Sequence, residues 1–243
     1  MFCDLLVQGV RLDGELPRDS YLNKVPAIRN LKKMGKLDFH QPVTFFVGEN
    51  GVGKSTLIEA IAVSLGFNPE GGSINFHFST EDSHSELYRF LTVSRGVRRR
   101  KDGFFLRAES FYNMASYIDQ LSDLINSYGG VSLHQQSHGE SFMALVENRF
   151  GGNGIYILDE PEAALSPARI LELMCHIHRL VEENSQFIIS THSPILMAFP
   201  GAEVLQLTKD AISSVPYTET EHFKLSRQFL NAPEKMCRYL FEK

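Results

Sequence analysis

The stretch best equipped for chemistry is Gly48-Glu49-Asn50-Gly51-Val52-Gly53-Lys54-Ser55-Thr56. It reads G-x-x-x-x-G-K-[ST], a pattern whose backbone N–H groups wrap phosphate oxygens. Gly48, Gly51 and Gly53 allow the tight turn and the close approach of the main chain. Lys54 stands to reach the β- and γ-phosphates of a nucleoside triphosphate, and the Ser55 hydroxyl to complete a Mg²⁺ shell. Glu49, Asn50, Val52 and Thr56 fill out the binding segment. A Gly-rich turn with an incidental Lys-Ser pair would look similar, so the flanks decide. Val43–Val47 is an apolar, β-branched and aromatic run suited to a buried strand. Leu57, Ile58, Ile61, Ala62 and Leu65 then recur at helical spacing, with Gly66 as the stop.

A second such stretch is Gly154-Ile155-Tyr156-Ile157-Leu158-Asp159-Glu160-Pro161. A continuous apolar run ending in two carboxylates fits a buried parallel strand with chemistry at its C-terminal end. There Asp159 would hold Mg²⁺ and Glu160 would act as general base on an attacking water. Gln186–Ser190 is another short buried strand, followed by His192. A lone histidine is ordinarily structural, but at a strand C-terminus beside Asp159 it could sense a γ-phosphate. Ser137-His138-Gly139-Glu140-Ser141 reads as a capping box for a helix carrying Phe142, Leu145, Val146 and Phe150. It reads equally as an anion-binding helix N-terminus, and the two are compatible.

The 243 residues suffice for one sizeable core, and 43% hydrophobic with 22% charged is an ordinary globular balance. Twenty-four Lys+Arg against 29 Asp+Glu, a formal charge of -5, argue against wholesale coating of nucleic acid. Cys3, Cys175 and Cys237 are scattered, without a C-x-x-C pair, which suits reduced thiols better than disulfides or zinc. No basic leader and no apolar run near the ~20 residues of a membrane span is visible. These features point to a cytoplasmic protein with no membrane segment of its own.

The positioning elements follow in order. Residues 2–12 read as a strand, and Val25-Pro26-Ala27-Ile28 as an edge strand at best, because of Pro26. Arg29 and Asn30 are candidates for a nucleotide-base contact by position alone. The span of about 67–136 reads as an inserted lobe, broken by Gly71-Gly72, by the polar stretch Ser79–Ser85 and by the basic run Arg95–Lys101. Within it Phe104–Leu106 suggests a strand and Met114–Ile125 a helix with Tyr117, Ile118, Leu121, Leu124 and Ile125 inward. The basic run has two readings: a nucleic-acid or acidic-partner contact, or a solvated hairpin loop, the latter preferred. Ser166-Pro167 caps a helix running to Val181. Residues 203–215 form an edge hairpin, and two helices without visible chemistry close the chain.

In their order these stretches resemble the ABC-class ATPase module. Gly48–Thr56 matches its Walker A loop, Ser137–Ser141 its signature, Ile155–Glu160 its Walker B strand, Glu162–Ser166 its D-loop and His192 its switch histidine. The run Asp-Glu-Pro-Glu-Ala-Ala-Leu-Ser-Pro is more similar to the soluble SMC-like and RecF-like branch than to transporter subunits. The resemblance implies an α/β P-loop fold with a mainly parallel core sheet, an N-terminal antiparallel β region and an inserted α-rich lobe, all in one ABC-type domain over 1–243. It implies a Mg²⁺-dependent ATP hydrolase using Glu160, His192 and Lys54. It further implies an ATP-dependent homodimer in which Ser137 and Gly139 of one subunit meet the γ-phosphate held by the other. Two features depart from the family: the signature reads Ser-His-Gly-Glu-Ser, and no Q-loop glutamine ends a strand of the lobe. Glu109 is the candidate for that role in the Mg²⁺ shell, beside Ser55 and Asp159. The partner beyond ATP is open, nucleic acid or protein. The alternatives are a transporter's nucleotide-binding subunit and a non-catalytic, ATP-dependent interaction module.

Overall fold

The computed structural model describes residues 4–74, 85–120 and 132–242. In chain order the first half contains β1 (Val7–Leu12), α1 (Pro26–Met34), β2 (Lys36–Asp38), β3 (Val43–Val47), α2 (Lys54–Ser64), β4 (Leu91–Arg95), β5 (Asp102–Arg107) and α3 (Phe111–Gln120). The second half contains α4 (His138–Arg149), β6 (Gly154–Asp159), α5 (Pro167–Glu182), β7 (Gln186–Ser190) and the short turn α6 (Pro194–Met197). It ends with β8 (Glu203–Leu207), β9 (Ile212–Ser214), α7 (Glu221–Asn231) and α8 (Pro233–Phe241).

The strands form two sheets. The larger has the order β5-β6-β7-β3-β8-β9, parallel except for β9, which closes one edge antiparallel to β8. The smaller, β2-β1-β4, is antiparallel throughout. β3, β6 and β7 are buried at every position, as strands covered on both faces must be. Alternation along β6 divides the core: Tyr156 and Leu158 pack with α4 and α5 residues such as Phe142, Val146 and Leu173. Ile155 and Ile157 join the opposite cluster, with Ile58 and Ile61 of α2 and Val10 of β1. The fold is α/β, with a mostly parallel sheet between two helical layers and an antiparallel sheet outside one of them.

Three expectations meet a different arrangement. Residues 26–34 are the helix α1, not an edge strand: Pro26 occupies the first turn, where its missing N–H is not needed. Arg29 and Asn30 donate to the carbonyls of Lys209 (2.8 Å) and Thr208 (3.1 Å), tying α1 to the β8–β9 turn instead of presenting donors to a base. The basic run is not a hairpin, because β4 belongs to the small sheet and β5 to the large one. Arg98 donates to the Asp4 carbonyl at 2.7 and 3.0 Å, and Arg100 donates to the Leu65 carbonyl at 2.6 Å while lying over the Phe67 ring. Two of these arginines therefore fasten the crossing between sheets, and Arg95, Arg99 and Lys101 stay exposed.

Gln186, at the start of β7, completes that junction. Its buried side-chain amide accepts from the N–H of Val7 and donates to the Val7 carbonyl, both at 2.8 Å. It thus substitutes for a strand partner and satisfies two main-chain groups that burial would otherwise leave unpaired. Inside the span 67–136, β4 and β5 pair into the two sheets while α3 packs Phe111, Met114, Ala115 and Ile118 into the core. Residues 79–84 of the polar stretch, and Leu121, Leu124 and Ile125 of the expected helix, lie outside the described residues.

Candidate functional site

The loop from Gly48 leaves the C-terminal end of β3 and enters α2. It holds its shape through glycines that no other residue could replace without displacement. Gly48 has φ 153°, and a β-carbon there would lie 2.2 Å from the Leu207 carbonyl oxygen. Gly53 has φ 98°, and its β-carbon would lie 2.3 Å from Val25 Cγ1. The first turn of α2 has Gly53 as N-cap, no side-chain cap and no acidic residue. Its orphan N–H groups and positive dipole end are therefore left for an external anion. Lys54 is buried, with Nζ donating to the carbonyls of Gly48 (2.9 Å) and Glu49 (3.2 Å). Burial pushes its pKa down, and the charges of Glu160, Asp159 and Glu162 partly oppose that push.

Asp159 ends β6 and lies directly beside this helix. The Ser55 hydroxyl donates to Asp159 Oδ1 at 3.2 Å across 104 residues of sequence, and the Ser190 hydroxyl donates to the same oxygen. Burial raises the Asp159 pKa; the bond from Ser190 and the charge of Arg107 act against that. A hydroxyl and a carboxylate oxygen in contact are hard donors of the kind Mg²⁺ selects, so these residues fit the metal the loop implies.

Glu160 follows in the left-handed region, φ 50°, an uncommon conformation for a residue with a β-carbon. Its N–H donates to the Ser190 carbonyl at 3.1 Å, and Pro161 opens a short 3₁₀ turn after it, so its neighbours hold the conformation on both sides. The side chain stays partly exposed and places Oε1 3.3 Å from His192 Nε2. His192 leaves β7, which pairs with both β6 and β3, so the sheet order sets the histidine beside Glu160. Its main-chain N–H donates to the Glu162 carboxylate. Burial first, then the charges of Lys54 and His222, lower the His192 pKa to about 4.

The remaining expected residues are distributed less tightly. Glu109 lines a cleft with Ser55, His138, Asp159 and Glu160, but its carboxylate is exposed and pairs with Arg107 at 3.6 Å. Ser137 caps α4, and Glu140 accepts from both its N–H (3.0 Å) and its hydroxyl (2.6 Å). Gly139 packs against the turn after Glu160, where an added β-carbon would meet the Ala164 carbonyl at 3.3 Å. Within this chain, then, the 137–141 motif sits against the chain's own carboxylate turn, with the Ser137 N–H and hydroxyl both given to Glu140.

Two residues of the site escape the sequence reading. Arg107 stands opposite Asp159 in the β5–β6 register and sends its guanidinium to Glu59 (2.7 Å), with Nε 3.6 Å from Asp159 Oδ2. Only the strand pairing could have pointed to it. His222, in a tail to which the sequence assigned no chemistry, places Nε2 2.8 Å from His192 Nδ1. No local signal precedes it.

Loop, carboxylates and strand order together make an α/β fold of the P-loop kind. Two family models match in succession: an AAA domain over residues 27–131, and over 131–198 an AAA domain whose description names the AbiEii toxin of a type IV toxin–antitoxin system. Between them the two models span residues 27–198, and over that stretch the chain is similar to AAA/ABC ATPase domains. It is 27% identical over 186 residues to an uncharacterized ABC transporter ATP-binding protein of Haemophilus influenzae, covering 66% of this chain and 68% of that protein. It is 25% identical over 172 residues to the nucleoside import ATP-binding protein NupA of Lactococcus lactis, which covers 60% of this chain and 32% of the relative. In fold, it overlays a chain of a metal-chelate type ABC transporter solved in an inward-facing conformation with TM-score 0.51 and 13% identity, over 90% of this chain and 87% of that one. Among the described residues no helix is long and apolar enough to cross a membrane.

Proposed function

We propose that this chain, as one ABC-type domain, binds ATP with Mg²⁺ at the 48–56 loop and hydrolyses it. The observation that carries the reading is the contact between the Ser55 hydroxyl and the Asp159 carboxylate, with Glu160 and His192 adjoining it. The α2 N-terminus and Lys54 bind the triphosphate: the ammonium trades its two loop carbonyls for phosphate oxygens, whose charge suits it better. Mg²⁺ at Ser55 and Asp159, with Glu109 at the rim, would neutralise charge developing on the phosphates. Glu160 accepts the proton of the attacking water, its partial exposure leaving an oxygen open to that water. His192, beside Glu160, steadies the transferred group.

In this reading Ser137 and Gly139 serve a second copy of the chain, so that ATP shifts monomers toward a dimer by its differential affinity. Hydrolysis then releases a nucleic-acid or protein partner in a cytoplasmic setting. A second reading, the nucleotide-binding subunit of a transporter, is favoured by the sequence relatives, an ABC transporter ATP-binding protein and a nucleoside import ATP-binding protein. The D-loop run Asp159–Pro167 supports the soluble branch instead.

Replacing Glu160 with Gln should cut turnover ~10²-fold or more while ATP affinity is kept, read by phosphate release beside calorimetry. Unchanged turnover would remove Glu160 from the role. The same variant with ATP and Mg²⁺ should double its mass in light scattering; a persistent monomer would remove the sandwich. Co-purification with a membrane protein would move the assignment to the transporter reading.

A further inference from the structure

We infer that His222 is a positioning residue: its Nε2–H donates to Nδ1 of His192 and fixes the His192 tautomer that carries its proton on Nε2, facing Glu160. Its bearing on turnover rests on the ATP-hydrolysis reading above; the tautomer itself does not. The two rings meet edge to face, centroids 4.8 Å apart, with Nδ1 of His192 and Nε2 of His222 at 2.8 Å. A contact of that length between ring nitrogens needs one proton between them. Both histidines have lowered pKa values, each chiefly through burial, so neither ring is an imidazolium at neutral pH.

Two tautomer arrangements remain, and the far side of His192 decides between them. Nε2 of His192 is buried with no hydrogen-bond partner among the described residues and lies 3.3 Å from Glu160 Oε1, a carboxylate oxygen that faces it with lone pairs. A bare Nε2 would set lone pair against lone pair; a protonated one is attracted to the carboxylate, and to a phosphate oxygen likewise. The proton of His192 therefore belongs on Nε2, its Nδ1 must accept, and His222 must donate. This is the logic by which an outer partner fixes the tautomer of a working histidine.

The fold holds His222 where this requires. Thr220, fully buried, caps α7: its hydroxyl accepts from the Phe223 N–H (3.4 Å) and donates to the Tyr217 carbonyl (2.6 Å). His222, two residues on, lies in the first turn of α7 and lines a cavity with Gly48 and Glu49 of the phosphate loop. The charged groups acting on the pair come from every side: Lys54 from α2, Glu49 from the loop, Glu160 and Glu162 from the carboxylate turn and Glu221 from α7.

The test is ¹⁵N NMR of the histidine tautomers in the nucleotide-free chain, run alongside turnover for the wild type, His222→Ala and His222→Gln. Wild type should show His192 protonated on Nε2. His222→Ala should lose that single tautomer and ~10-fold or more of turnover, the scale on which outer partners of functional histidines act. His222→Gln, whose amide can donate to Nδ1, should restore the tautomer and most of the turnover, and it carries the comparison alone if the alanine variant fails to fold. His192 protonated on Nδ1 in the wild type, or both variants matching wild type in tautomer and turnover, would overturn the inference. A correct tautomer that is lost in His222→Ala, in a protein with no ATP turnover at all, would uphold the positioning and refute the hydrolysis reading.

Discussion

Two helix N-termini flank the cleft, and they are built in opposite ways. α2 starts from a glycine, carries no acidic residue in its first turn, and keeps a buried lysine beside its free N–H groups. α4 starts from Ser137, whose N–H and hydroxyl both go to Glu140 in its own first turn. Each end obeys the same electrostatic rule, that a helix start wants negative charge. They differ in who supplies the charge. At α2 no side chain of its first turn supplies it, and in the proposed function ATP does. At α4 the chain supplies it, through the Glu140 carboxylate.

That contrast can be broken most severely at α2. Lys54→Ala should lower ATP affinity by ~10- to 100-fold, as removal of one charge-assisted contact does, measured by calorimetry. A variant that binds ATP like wild type would mean that α2 is not where the triphosphate sits. At α4 the same kind of truncation should act on folding instead. Ser137→Ala deletes the cap and should cost about 1 kcal/mol in urea unfolding, with ATP affinity of the monomer unchanged. Loss of monomer affinity in that variant would erase the distinction between the ends.

Acid should reach the two ends at different pH, and this is the smallest effect. Near α2, His192 titrates at about 4 in the folded chain against an ordinary 6.5. Above pH 6.5 it is neutral folded or unfolded and contributes nothing. As pH falls from 6.5 toward 4 the unfolded chain takes up a proton that the folded chain refuses, so stability drains through that window. Asp159 and Glu162, whose pKa values burial raises, bind protons in the folded state and act the other way. The difference between wild type and His192→Asn isolates the histidine, and it should grow between pH 6.5 and 4. At α4 the bonds from Ser137 hold Glu140 below the usual carboxylate range. That contribution is intact above the ordinary glutamate pKa and disappears only as pH falls through the lowered one.

The α2 end was legible in the sequence because its signals are local. Glycines, Lys54 and Ser55 sit together, and the strands before them and before Asp159 and His192 are unbroken apolar runs that only a two-sided parallel sheet explains. The capping box of α4 was equally readable from Ser137 and Glu140. Misreadings arose where one residue type has two uses. Pro26 is excluded from sheet centres and welcome in a helix's first turn, and nothing local chose between them. Arg98 and Arg100 look solvated in sequence because their partners are main-chain carbonyls of Asp4 and Leu65, remote in the chain and invisible as residue types. Arg107 and His222 were missed for a related reason. One is defined by strand register and the other by the docking of a terminal helix, and both are properties of the assembled fold.

The Gln186 amide, clasped onto Val7, has a mechanical meaning. To slide the small sheet over the large one, the chain would have to break both bonds of a buried amide and free two backbone groups together. Those two bonds fasten the outer sheet to the start of β7, a central strand of the large sheet and a neighbour of β3.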